Sequence, residues 1–194
     1  MNPAAITGTG LYTPPYSISN DELVAAFNAY VERHNTAHAD EIAAGTREAL
    51  PLSSSEFIVK ASGIRARYVV DKSGVLDIDC MRPRIAPRTE DQPSLMAEMG
   101  VAAAQQALAA AGRSAADIDL VIVACSNLQR PYPAISVEIQ NLLGAGGHAY
   151  DMNVACASSA FGISAAVDAV RGGSVRAALV ISPEICSGHL NFRN

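Results

Sequence analysis

The chain has 194 residues, 49% of them hydrophobic and 17% charged, with a formal net charge of −5. That length and apolar content support a substantial core and exclude a disordered tail. The acidic balance and the lack of a Lys/Arg cluster exclude a nucleic-acid surface. No apolar run is long enough to span a bilayer, and the first five residues lack the features of an export signal, which points to the cytoplasm.

Ala4–Thr9 reads as a first strand that ends in Gly8-Thr9-Gly10. No third glycine follows, and Thr13-Pro14-Pro15-Tyr16 breaks helix, so this is not a dinucleotide fingerprint. Ser19-Asn20-Asp21-Glu22 has N-cap character, and Leu23, Val24, Phe27, Tyr30 and Val31 follow at helical spacing. From about 32 to 55 the chain is polar and alanine-rich, broken by Pro51 and Ser53–Ser55, and reads as an inserted helical excursion. Phe57–Ala61 resumes a helix, Ser62–Arg65 turns out of it, and Arg67–Val70 has strand composition. A second insertion, 71–93, is dense in Pro, Asp and Arg and reads as a surface loop. Its Arg82, Arg84 and Arg88 meet either nearby acids or a phosphate or acidic carrier.

Ser94–Ala111 is a capped, alanine-rich helix closed by Gly112. Asp117–Ala124 is an apolar strand suited to the centre of a parallel sheet. A loop over Asn127–Pro133, a helix over Ala134–Leu143 and a turn over Gly144–Gly147 come next. Tyr150 opens a short extended run that becomes a helix to about Val170, and Arg176–Ser182 is another apolar strand. This alternation predicts an α/β fold with right-handed crossovers and a mainly parallel sheet.

Cys80, Cys125, Cys156 and Cys186 are widely spaced and read as free thiols in a reducing compartment. Cys125 ends an apolar run and is expected to be buried; Cys80 has no evident role. Cys156 stands where the extended run meets the helix. Unpaired backbone N–H groups and the positive end of the helix dipole favour a thiolate there. The small residues at 157–160 leave room for an approaching carbonyl. Cys156 is therefore either a nucleophile or a small buried hydrophobe. His34, His38, His148 and His189 are scattered singly, so no metal site is expected.

The stretch Asp151-Met-Asn-Val-Ala-Cys156-Ala-Ser-Ser-Ala-Phe-Gly162 resembles the nucleophile segment of the β-ketoacyl-acyl-carrier-protein synthase III group of the thiolase superfamily. Gly8–Pro14, Phe57–Arg65 and Pro131–Gln140 resemble further stretches of that group, in the same order. The resemblance implies a thiolase-like α/β fold, with a mainly parallel or mixed sheet covered by helices. Residues 1–194 would form the N-terminal one of two pseudo-symmetric halves, with inserted segments at about 32–55 and 71–93.

It also implies an acyltransferase: Cys156 takes an acyl group from acyl-CoA, and malonyl-acyl carrier protein then condenses with it. Neither step uses a cofactor. The Cys156 N–H would be one oxyanion donor. Tyr132 would cross a homodimer interface, or be an ordinary loop aromatic. Cys186 would line the acyl pocket, or simply be buried. Phe57 and Ala61 fall where relatives sandwich adenine; Phe57 can stack but Ala61 cannot. Ser62 would lie at the tunnel mouth. The His and Asn of the condensation step would come from a C-terminal half, and His189 matches no family position. The alternative is a non-catalytic partner subunit that shapes a condensing enzyme's pocket; the intact Cys156 counts against it.

Overall fold

The computed structural model describes residues 3–193, apart from the His189 side chain. In chain order the elements are β1 (Tyr16–Ser19), α1 (Asn20–Ala37), α2 (Ala39–Ala43), α3 (Ser55–Ser62), β2 (Ala66–Val69) and α4 (Ser73–Leu76). They continue with α5 (Leu95–Ala111), β3 (Leu120–Ala124), α6 (Ile135–Leu143), β4 (His148–Met152), α7 (Ser158–Arg171) and β5 (Ala178–Ile181). Short 3-10 turns occupy Ala115–Asp117 and Cys186–His189. The chain divides into two units, one built from residues 3–12 and 87–185, the other from 13–86 and 186–193.

The first unit is organised on a parallel sheet in the order β4-β3-β5, with Leu120 opposite both His148 and Ala178. All five residues of the central β3 are buried, as a strand apolar on both faces requires. Leu120, Ile122 and Ala124 pack with Ala165, Ala166, Ala169 and Val170 of α7. Val121 and Val123 point to the opposite face, where α5 and α6 lie against β5 and β3. A Cβ at Gly162 would stand 2.8 Å from the Ala124 Cβ and 2.9 Å from Val180 Cγ1. Glycine therefore lets the α7 backbone lie directly on the sheet. Ser94 and Gly112 bound α5 as their residue types suggest: the Ser94 hydroxyl accepts from the Ala97 N–H, and Gly112 is left-handed at φ 61°.

The expected strand at Ala4–Thr9 does not form. The segment has no ladder partner and packs instead along α5. A Cβ at Gly8 or Gly10 would come within 2.2 or 2.0 Å of the Ala107 or Ala103 carbonyl oxygen, and the Leu11 N–H donates to Gln106 Oε1 at 3.2 Å. A cavity of about 770 Å³ separates this segment from β5 and is also lined by α5 and α7. Among the described residues, the outer edge of β5 is therefore unpaired.

The second unit carries a short ladder that the sequence reading did not identify, β1 antiparallel to β2 with Tyr16 opposite Val69. Ile18, Val69 and Val75 form its buried cluster, with Leu23, Leu76 and Phe192 against them. Ser19 and Glu22 make a reciprocal capping box at the start of α1. Glu22 also meets Lys72 at 2.5 Å, and that contact, with the Ser19 bonds, lowers its carboxyl to about 2. The first insertion extends α1 to Ala37, adds α2, and returns along α1 under two asparagine clamps. Asn35 exchanges bonds of 2.9 and 3.0 Å with the Leu50 backbone. Asn28, two helical turns earlier, does the same with Ser53 at 3.0 and 2.9 Å.

The second insertion is more ordered than the plain loop expected of it. The Asp71 carboxylate accepts from the N–H groups of Ser73, Gly74 and Arg84, which fixes the start of α4. Arg84 pairs with Asp77, and Arg88, in the first unit, forks onto Glu98 at 2.9 and 2.8 Å. Neighbouring acids thus engage these two arginines. Nor are His34 and His38 isolated: their rings lie 4.6 Å apart, His34 in the last turn of α1 and His38 capping its end.

Candidate functional site

In open parallel sheets, ligands gather at the carboxyl ends of the strands. In the first unit those ends are joined by side chains. Beyond β4 the chain makes a tight turn before α7, with Ala155 at φ +48°, a region that costs a non-glycine residue energy. The Ala155 N–H donates to Asn153 Oδ1 at 3.0 Å. The Val154 N–H donates to Ser158 Oγ at 2.8 Å, and that hydroxyl donates to the Ala155 carbonyl at 2.7 Å. Ser158 is buried, so the turn is held from below.

Cys156 stands on this turn, two residues before the first residue of α7, with its side chain exposed. Its N–H has no acceptor among the described residues. The arrangement can present a sulfur and a backbone donor together to an approaching carbonyl. The reading of Cys156 as a small buried hydrophobe fails on exposure alone.

The other thiols differ. Cys125 is buried, as its place at the end of β3 suggested, and its thiol donates to the Asn127 carbonyl at 3.2 Å. Burial, with Glu184 adding to it, pushes that thiol up to about 11, so at neutral pH it is not a nucleophile. Cys80 is half-buried and donates to the Arg82 carbonyl at 3.3 Å. Cys186 opens a 3-10 turn and is exposed, which removes simple burial as its explanation.

Tyr132 lies in the loop between β3 and α6 and is 87% exposed. The helix that follows has no side-chain cap of its own. Asp151 of β4 supplies one, accepting from the Ile135 and Ser136 N–H groups at 3.0 and 2.8 Å. A carboxylate at a helix N-terminus is well placed electrostatically. The end of β4 therefore anchors both the turn bearing Cys156 and the helix that follows Tyr132.

Phe57 and Ser62 belong to α3 in the second unit. Phe57 is 65% exposed and open to stacking. The Ser62 hydroxyl donates to the Ile58 carbonyl at 2.7 Å and accepts from the Ile64 N–H at 3.2 Å, so it closes its own helix. Among the described residues, no three His, Cys, Asp or Glu side chains cluster to hold a metal, and no helix is long and apolar enough to cross a membrane.

Sequence reasoning missed Glu184. Its Oε1 accepts from the Ser126 and Asn127 N–H groups at 2.8 and 3.1 Å and from the Ser126 hydroxyl. These partners lie far apart in the chain, and no local pattern announces them.

The family described as 3-oxoacyl-[acyl-carrier-protein (ACP)] synthase III matches residues 150–194. The β-ketodecanoyl-[acyl-carrier-protein] synthase of Pseudomonas aeruginosa is 58% identical over 169 residues, covering 87% of this chain and 48% of that protein. A β-ketoacyl-[acyl-carrier-protein] synthase III of Bordetella petrii is 32% identical over 195 residues, 100% of this chain and 48% of that one. The priming β-ketosynthase of the R1128 polyketide pathway superposes with a TM-score of 0.70 at 26% identity, over 97% of this chain and 44% of its own. The chain spans about half the length of the curated relatives it matches.

Proposed function

Because the chain belongs to the β-ketoacyl-acyl-carrier-protein synthase III-like condensing enzymes of the thiolase superfamily, we propose that it carries the nucleophile of a decarboxylative condensation. The observation that carries this reading is the exposed Cys156 on its positive-φ turn at the start of α7.

The Cys156 thiolate attacks the carbonyl of an acyl-CoA, with the Cys156 N–H as one donor to the developing oxyanion. The C–S bond to coenzyme A breaks, and free CoA takes up the proton. Malonyl-acyl carrier protein then loses carbon dioxide. The electron pair left on carbon attacks the acyl-cysteine, forms the new C–C bond and releases the Cys156 thiolate. Decarboxylation supplies the nucleophilic pair, so neither a cofactor nor a metal is needed. The β-ketodecanoyl product in the name of the 58%-identical relative supports an eight-carbon acyl donor here, since the condensation adds two carbons.

The His and Asn that stabilise the enolate belong, in this reading, to a C-terminal half beyond the stretch the chain shares with its relatives. The unpaired edge of β5 and the cavity beside it support a continuing sheet. Tyr132, stiffened by Pro131 and Pro133, reaches into the acyl pocket of a second copy in a homodimer, and Cys186 lines the acyl pocket. Phe57 stacks on the adenine of CoA; the self-bonded Ser62 is the weaker contact.

The test is intact-protein mass spectrometry with peptide mapping after incubation with octanoyl-CoA. An added octanoyl group on Cys156, absent in Cys156→Ser and discharged as a ten-carbon β-ketoacyl product by malonyl-acyl carrier protein, is expected. Acylation at Cys80 or Cys186, with Cys156 unmodified, overturns the assignment.

A further inference from the structure

The carboxyl ends of the three parallel strands are tied by a chain of hydrogen bonds that ends at the turn bearing Cys156. It begins at Glu184, just beyond β5, whose Oε1 holds the backbone of Ser126 and Asn127 beyond β3. The Ser126 carbonyl, fixed in that way, accepts from Asn153 Nδ2 beyond β4 at 3.0 Å. Asn153 Oδ1 then accepts from the Ala155 N–H at 3.0 Å, the residue at φ +48° next to the sulfur. Within Asn153 the two links use different atoms, Nδ2 toward Ser126 and Oδ1 toward Ala155. The orientation of the Asn153 amide is set from both sides: its nitrogen must face Ser126 and its oxygen Ala155.

We propose that Glu184 and Asn153 are positioning residues for Cys156, acting as one relay that holds Ala155 in its disfavoured conformation. A left-handed alanine persists only where its surroundings over-determine it, and the Asn153 bond is one of the constraints that do so. Glu184 contributes a charge-assisted acceptor for two backbone N–H groups, a stronger hold than a neutral group gives. Removing it frees the Ser126 carbonyl to move, the Asn153 amide loses its fixed orientation, and the turn relaxes away from φ +48°. Cys156 stays in the chain but leaves the place where its sulfur and its own N–H address one carbonyl. This inference rests on the reading of Cys156 as the acylated nucleophile, and one of its two readouts is independent of that reading.

The experiment uses the full-length native protein with Glu184→Ala, Asn153→Ala, the double variant and Glu184→Gln. Two rates are followed: acylation of Cys156 by octanoyl-CoA, and its alkylation by iodoacetamide across pH 6–10 (roughly the span in which free thiols ionise). Each alanine variant should lower the maximal acylation rate about ten-fold with little change in KM and should alter the Cys156 alkylation profile, while Cys125 stays unreactive. Among the described residues no hydrogen bond joins Glu184 to Asn153 directly, so independent roles would add. The relay instead predicts that the double variant is no slower than the slower single one. Glu184→Gln, which keeps an acceptor oxygen, should recover most of the rate.

Additive losses, or a lower melting temperature with both rates unchanged, overturn the proposal. If the wild type is never acylated but its alkylation profile shows the same non-additive coupling, the relay stands and the condensing-enzyme reading fails.

Discussion

The two units are held together by different means. In the first, the sheet is covered on both faces and β3 is wholly buried, so stability comes from apolar area removed from water. In the second, α1 has only Asn20 and Val31 buried, and the returning segment is fastened by side-chain amides to backbone. Apolar packing gives the first unit a rigid platform on which an exposed thiol can be held. Discrete polar clamps let the second vary its loops without repacking its small Ile18, Val69 and Val75 cluster.

The sharpest way to break this contrast is in the sheet. Ile122→Ala should cost about 2–5 kcal/mol, the range for large-to-small changes at fully buried sites, read by urea denaturation with an unchanged slope. A cost below 1 kcal/mol would mean that the β3 core is not the platform described.

Next in size is the clamp. Asn28→Ala removes two bonds to Ser53 and should cost about 1–3 kcal/mol. Hydrogen exchange should speed at residues 50–55 but not in β3 or β4. Faster exchange throughout the first unit would show that the units do not differ in this way.

Acid offers a smaller test with one group in each unit. The Asp119 carboxyl is held at about 2, mainly by its hydrogen bond from the Arg176 side chain, and Glu22 at about 2 by Lys72. Both folded values lie below the ordinary carboxylate range near 4. Their contributions are therefore complete above that range and are lost as pH falls toward 2. Asp119→Asn should flatten the loss of stability between pH 4 and 2 (the window bounded by those two values) in the first unit only, and slightly, because its partner Arg176 is exposed and the pair is screened by solvent. An effect extending above pH 5 (beyond any carboxylate held low in this way) would point to another group.

The smallest effect on stability belongs to Phe57→Ala. An aromatic 65% exposed has little burial to lose, so the melting temperature should stay constant. KM for acyl-CoA should rise if Phe57 stacks on adenine. A large drop in melting temperature would place Phe57 in a core that the structure does not show.

Much of the first unit was legible because its signals are local. Ser94 and Gly112 mark α5, the run Leu120–Ala124 could only be a buried strand, and Cys156 sits where a strand meets a helix. Ala4–Thr9 was misread because strand composition does not supply a partner strand, and its glycines served close packing on α5 instead. The asparagine clamps were invisible because Asn28 and Asn35 look like ordinary polar positions on a helix; their partners lie 25 and 15 residues away. Ala155 gave no warning either, since nothing in the residue type announces a positive φ. The candidate site was half-readable: Cys156 lies in one short stretch, but the Glu184 contacts bridge 57 and 58 residues.

The clamps also make the first insertion replaceable. Asn35 and Leu50 pin the two ends of the 36–49 excursion side by side, so whatever joins them need only span that fixed gap. Loop-closure entropy grows slowly with length, by about 0.6 kcal/mol per doubling. A shorter linker or a foreign peptide grafted between those anchors would leave the Asn28–Ser53 clamp and α3 in register. The position is suited to carrying an affinity tag or a reporter sequence without disturbing the fold on either side.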